Sequence, residues 1–151
     1  MKKNTFLGLI LALFFITSTM AQTAYYVQGG VPNGDGSEGS PFSTVNNAVG
    51  PAVNGDTIII VGTITQTGTV NINESLTFTT KIGETATIIG NDAGSGSGRM
   101  YNTNVLGVNI EFNNITFQGS TNATGVGAVM NFNSNGSLTF NKCNFINNST
   151  I

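Results

Sequence analysis

From Asp56 onward, apolar residues recur at every second position in bursts of three to five, separated by Asn, Gly, Ser or Thr. A period of two is that of a strand with one buried face, so the pattern predicts many short strands. Upstream the period changes. Phe42, Val45, Ala48 and Val49 recur at helical spacing, Ser43 or Thr44 can cap the start, and Gly50 and Pro51 stop the segment after about two turns. The preceding run VPNGDGSEGSP, residues 31–41, is almost all turn formers. The chain therefore predicts a loop, a single short helix and then strands.

Some strand segments align as a repeat. Val70 to Ile72 followed by Leu76 to Phe78, Ile110 to Phe112 followed by Ile115 to Phe117, and Leu138 to Phe140 followed by Cys143 to Phe145 share one pattern: apolar, polar, apolar, a polar corner, then the same triplet again. The steps are 39 residues from Leu76 to Ile115 and 28 from Ile115 to Cys143. Ala86 to Ile89 and Ala128 to Phe132 supply a third strand. Three short strands per turn, with loops of variable length, predict a parallel β-solenoid whose inward residues form columns. The expected columns are Val70, Ile110 and Leu138; Ile72, Phe112 and Phe140; Leu76, Ile115 and Cys143; Phe78, Phe117 and Phe145. Cys143, aligned with Leu and Ile, reads as a small buried hydrophobe rather than a reactive thiol. Asn113, Asn114 and Asn141 suit tight corners. An antiparallel sandwich, suggested by Asn135-Gly136, is the competing fold.

The amino terminus has a different organisation. Lys2 and Lys3 precede an eleven-residue apolar run, Phe6 to Ile16, and a small-residue stretch to Ala21. That order predicts a secretory signal peptide over residues 1–21, cut before Gln22, with no transmembrane segment in the mature chain. No Cys follows the apolar run to carry a lipid. The division expected is thus 1–21 signal peptide, 22–55 loop and capping helix, and 56–151 solenoid coils, incomplete at the carboxyl end as in a fragment of a longer protein.

Composition narrows the chemistry. Asn, Thr and Gly fill 62 of 151 positions, only 8% of residues are charged, and there is no His. Without His there is no Ser-His-Asp triad and no His-ligated metal, and one Cys forms no internal disulfide or thiolate cluster. Lys81, Arg99 and Lys142 against seven acids leave the exported chain at a formal −4, so nucleic acid is a poor partner.

At this point a resemblance emerges. DGSEGSPFSTVNNAV followed by GDTIII resembles the amino-terminal lead-in and cap of right-handed parallel β-helix proteins of the pectin-lyase-like superfamily. Residues 125–149, GVGAVMNFNSNGSLTFNKCNFINNS, resemble the repeat of polymorphic outer membrane proteins: Gly127 to Val129 lie near its GGA(I/V) element and Phe145 to Asn148 match its FxxN element. Val126 departs from the first glycine of GGA, and Phe117 is followed by Gln-Gly-Ser without the Asn. The resemblance implies an all-β, right-handed parallel β-helix with a short capping helix. It also implies a place outside the cell or on the outer-membrane surface.

Function within such a superfamily ranges from polysaccharide lyases and hydrolases to adhesins. Cleavage needs charges grouped on one outward face. The expected outward columns, Asn71, Glu111 and Thr139 beside Thr77, Thr116 and Asn144, leave Glu111 alone. Arg99 and Lys81 fall in or beside loops, where a base without a carboxylate-bound cation is half a site. Asn33, Asp35, Ser37 and Glu38 imitate the start of a calcium loop without its fixed Gly and distal Glu. Tyr25, Tyr26 and Tyr101 are the aromatic candidates for a sugar platform. The reading is an exported, adhesin-like display surface for cell-surface glycans or proteins, with no catalytic, cofactor-binding or metal residue assigned. The alternative is the front part of a carbohydrate-active enzyme whose catalytic coils lie elsewhere.

Overall fold

The structure is a computed structural model that describes residues 21–90, 99–122 and 127–150. The segment expected as a signal peptide, residues 1–21, lies outside them apart from Ala21. Within them the chain is all-β with one short helix, and the strands form a parallel, strongly curled sheet compatible with a β-helix-like solenoid.

The first sheet runs β11 (Leu138–Asn141), β7 (Ile110–Asn113), β4 (Leu76–Thr80), the start of β2 (Thr57–Gln66) and β1 (Ala24–Gln28). The chain bends at Gly62, where φ is +69°. The second half of β2 continues into a second face with β5 (Ala86–Gly90), β8 (Ile115–Gln118) and β12 (Asn144–Ile146). A third face stacks β3 (Val70–Asn71), β6 (Tyr101–Thr103) and β10 (Met130–Phe132), and β9 (Thr121–Asn122) pairs β13 (Ser149–Thr150). Every one of these named strand pairs is parallel. Asn135-Gly136 therefore makes no hairpin. Asn135 Oδ1 accepts from Gly107 N one unit earlier at 2.6 Å, and a Cβ at Gly136 would collide with the Val108 backbone.

The helix is shorter than its pattern predicts. Helix α1 spans Val45–Val49, Thr44 Oγ1 accepts from Asn47 N, and Gly50 closes it. Val45 and Ala48 are fully buried, joining the core where α1 meets β1, β2 and β3. Asp56 fixes this end. Its two carboxylate oxygens, in a residue only 1% exposed, accept from Thr23 N at 2.8 Å and Val53 N at 2.9 Å.

Each of the four expected columns loses its first member. Leu76 pairs with Ile110 and Phe78 with Phe112, not with Ile115 and Phe117. Val70 pairs with Tyr101 on the third face, and Ile72 N donates there to Asn102 O, so Ile72 does not stack on Phe112 and Phe140. The cause is local resemblance between unlike corners. Asn73 to Ser75 carries the chain from the third face to the next first face, whereas Asn114 and Lys142 turn it from first face to second with left-handed φ of 58° and 53°. Both corners read as polar residues between two apolar triplets. The step between Ile110 and Leu138 does hold, and Ala86, expected as a third strand, instead begins the second-face strand paired with Ile115.

Inside, the rings form two stacks. Phe78, Phe112 and Phe140 lie 4.7 and 5.2 Å apart at interplanar angles of 22° and 10°. Phe117 and Phe145 make the second stack at 5.3 Å, and Phe117 meets Phe112 and Phe140 edge-on at 87° and 89°. This alternation brings ring edges onto ring faces, the arrangement the ring quadrupole favours.

Candidate functional site

Outward positions of the same strands carry polar ladders. Asn131 Nδ2 donates to Asn102 Oδ1 at 2.8 Å, and Asn102 Nδ2 to Asn71 Oδ1 at 3.0 Å. A second ladder runs along the corner into the first face: Ser75 N donates to Asn54, Asn109 N to Ser75 and Ser137 N to Asn109. Residues that share a sheet position are one strand spacing apart, about 4.8 Å, which lets an amide bridge to its successor. These asparagines satisfy the backbone and one another.

Glu111 lies in register with Thr77 and Thr139, correcting the expected column with Asn71. Asn141 Nδ2 donates to its Oε1 at 2.7 Å and to Asn113 Oδ1 at 3.0 Å. Among the described residues, no group of three or more His, Cys, Asp or Glu gathers to hold a metal. No described helix is long and apolar enough to cross a membrane.

The calcium-like loop has other partners. Asn33 Oδ1 accepts from Ser43 N, Ser43 Oγ and Asn47 Nδ2, tying the loop to α1. Ser37 holds the Asp35 carboxyl below its ordinary range through side-chain and backbone hydrogen bonds. Glu38 pairs with Lys81 at 2.7 Å, and Lys81 also lies 3.7 Å from Glu84. Hydrogen bonding and charge from Glu38 push the Lys81 ammonium up from its ordinary value, with Glu84 adding to it. Arg99 Nε donates to Gly127 O at 3.3 Å.

The three tyrosines separate. Tyr101 is fully buried among Phe78, Phe112 and Phe117, and so presents no ring to a sugar. Its hydroxyl has no hydrogen-bond partner, and burial pushes its pKa far above the ordinary tyrosine value. Tyr25 tilts against Phe42 with centroids 6.1 Å apart, and Tyr26 is half-buried. Cys143 is half-buried too, its Sγ 3.3 Å from Phe112 O and 3.5 Å from Asn141 O. Desolvation pushes its thiol pKa up, against smaller opposing effects of backbone hydrogen bonds.

A cleft lies where the first face turns into the second. The loop from Lys81 to Thr85 forms one wall, and Asn114, Thr116, Lys142 and Asn144 form the other. Thr80 also lines it, with a buried Oγ1 that has no hydrogen-bond partner. The Glu38–Lys81–Glu84 contacts tie the loop wall to the amino-terminal loop. Sequence alignment placed Lys142 opposite Asn114 but did not single it out. The available signal was a lysine at a corner whose equivalent residue is the left-handed-tolerant Asn. No family model matches this chain, and no curated protein or solved structure matches it either.

Proposed function

We propose that this chain is an exported, right-handed parallel β-helix that acts as a stiff, adhesin-like display surface for glycans or proteins at the cell surface or outside the cell. The right hand follows from general chain geometry, because parallel strands in one sheet are joined by right-handed crossovers in about 98% of cases. Export rests on the charged, apolar and small-residue order of residues 1–21. The observation that carries the display reading is the division between the two sides of each strand. Inward positions of the first two faces include stacked rings and aliphatic side chains, while outward Asn71, Asn102 and Asn131 on the third face join neutral amides in a ladder. Such an exterior offers many hydrogen-bonding groups at regular spacing, and Glu111 is matched to Asn141 rather than to a second carboxyl. Binding by a shallow, repeated polar face suits adhesion better than bond cleavage.

The test is direct. Cells exporting the chain should adhere to a glycan- or protein-coated surface more than cells lacking it. Purified protein should release no unsaturated or reducing ends from pectin, alginate or glucan, with or without calcium. Adhesion unchanged by deletion, or cleavage abolished by Glu111→Gln, would overturn the reading.

A further inference from the structure

We propose that an asparagine array on the third face binds a neutral, extended β-1,4-linked glycan lying along the solenoid axis, with about one sugar over each unit. The inference rests on the display reading and narrows it to one face and one ligand class. One motif recurs in three successive units: Val70-Asn-Ile-Asn73, Tyr101-Asn-Thr-Asn104 and Met130-Asn-Phe-Asn133. Register places Asn71, Asn102 and Asn131 in one column. Asn104 and Asn133 follow the paired Thr103 and Phe132 and form a second column, and Ile72, whose N donates to Asn102 O, carries Asn73 to the same position. Ile72 and Thr103 are fully buried, whereas Asn71, Asn73, Asn104 and Asn133 are exposed.

Asparagine is a poor strand former, and the chain favours threonine at outward positions of the other two faces. Thr57, Thr77 and Thr139 share a column with Glu111 on the first face. Thr63, Thr87 and Thr116 share one with Asn144 on the second. On the third face all six positions are Asn. Amide-to-amide hydrogen bonds of 2.8 and 3.0 Å offset that cost in the first column. They do not in the second, where Asn133 Nδ2 lies 3.5 Å from Asn104 Oδ1 and the Asn73 side chain has no hydrogen-bond partner among the described residues. The second column therefore serves something other than the ladder.

Spacing and hydrogen-bonding capacity set the ligand class. Amides recur about every 4.8 Å along the axis, and the two columns stand about 6.6 Å apart, the rise of two strand residues. An extended β-1,4-linked glycan advances by nearly the first distance per sugar, and the hydroxyls on opposite edges of a hexose are separated by nearly the second. Successive sugars face opposite ways, so each column meets ring hydroxyls and a hydroxymethyl group in turn. A primary amide suits both, because it donates and accepts, and a ladder bond takes only one of its two hydrogens or one of its two lone pairs. The six positions carry no charge, which matches a neutral chain. Asn71 and Asn73 also line a groove with Asn46 and Glu74, which extends the array beside α1.

Calorimetry on the exported chain tests this with cellohexaose for bare hydroxyls, chitohexaose for an added acetamido group, and maltohexaose as the coiled α-1,4 control. At least one β-1,4 hexaose should bind more tightly than its own disaccharide and about tenfold more tightly than maltohexaose, with no dependence on added salt. Asn102→Thr with Asn104→Thr, which clears the central unit using a better strand former, should keep the parent circular dichroism and bind about tenfold more weakly, as for two lost neutral hydrogen bonds. Should that pair fail to fold, Asn104→Thr alone, outside the short ladder bonds, should still weaken binding. Thr87→Asn on the second face should leave binding unchanged. Absence of binding by both β-1,4 hexaoses, or unchanged binding in the folded variants, would overturn the site. Self-association that the double variant abolishes, without glycan binding, would assign the array to a second copy and overturn it equally. If adhesion survives in the double variant while glycan binding is lost, the site stands and adhesion uses other faces. If the array binds although the parent chain does not adhere, only the display reading falls.

Discussion

Replacing Phe112 with Ala removes the central ring of one aromatic stack, the ring that also meets the second stack edge-on. The side chain is fully buried, lies between Phe78 and Phe140, meets Phe117 edge-on and touches Tyr101 at 5.3 Å. Truncating a buried Phe costs about 3–5 kcal/mol from lost transfer free energy and the cavity left behind. Its neighbours have little freedom to fill that cavity, because Phe117 and Phe140 are held by contacts with Phe145 and with each other. Each aromatic pair adds about 0.5–1.5 kcal/mol beyond area burial, so the expected loss lies at the upper end, about 5 kcal/mol. Phe145→Ala is the internal comparison. That residue is 51% exposed, and its removal opens no closed cavity, giving about 1–2 kcal/mol. Urea unfolding followed by near-ultraviolet circular dichroism reads both, provided the slope with denaturant is unchanged. Where Phe112→Ala leaves too little folded protein, Phe112→Leu gives a smaller, measurable loss. A double-mutant cycle should also show coupling of about 1 kcal/mol between Phe78 and Phe112, and near-additivity between Phe78 and Phe117. A loss below about 2 kcal/mol for Phe112→Ala, or a loss no larger than that of Phe145→Ala, would refute this core arrangement.

Three further outcomes follow from individual groups. Tyr101→Phe should stabilise the protein by about 1 kcal/mol in thermal unfolding, since the hydroxyl it deletes is buried without a partner. Because Tyr101 has a raised folded pKa, its neutral form contributes stability that is intact below the unfolded value near 10 and declines above it; the variant should lose that component of alkaline unfolding. Cys143 should react with iodoacetamide at pH 8 more slowly than a free thiol and reach the same rate in denaturant, because burial raises its pKa. Asp56→Asn should cost about 2 kcal/mol in urea unfolding, since an amide nitrogen would replace one of two oxygens that accept backbone N–H groups.

Strand existence was legible because alternation is a local property, read within three to five residues. The end of the helix at Gly50 was legible for the same reason, and its cap was narrowed to Ser43 or Thr44, of which the structure uses Thr44. The last two of the three repeat stretches aligned correctly because their corners have equal length: Ile115 with Cys143 and Phe117 with Phe145 keep one 28-residue step. Registration of the earlier strands was not legible, because it depends on which corner is which. One first-to-second turn is made inside the continuous strand β2 at Gly62, and the next by the Lys81–Thr85 loop, so neither resembles Asn113-Asn114. Tyr101 shows the same limit. In sequence it stands as a candidate for a sugar platform, and only pairing with Val70 and Met130 carries it inside. The cleft was hidden for a further reason: Lys81 and Lys142 are 61 residues apart and belong to different units.

The two sides of each strand answer to different constraints, and this bears on why a strained lysine can persist at a corner. On the inside, changing Phe112 or Phe78 disturbs rings in neighbouring units as well, so the cost spreads along the stack. On the outside, a side chain chiefly meets its register neighbours above and below, as Asn102 meets Asn71 and Asn131. Replacing one outward residue therefore alters about two hydrogen bonds, each contributing about 0.5–1.5 kcal/mol net. A left-handed Lys142 carries a cost of similar size, about 1 kcal/mol, which the aromatic core can absorb. The exterior can thus change its chemistry one position at a time while the interior keeps the register. A charged side chain is then most economically placed at a corner, outside the ladders, and exposed Lys142 stands at such a corner.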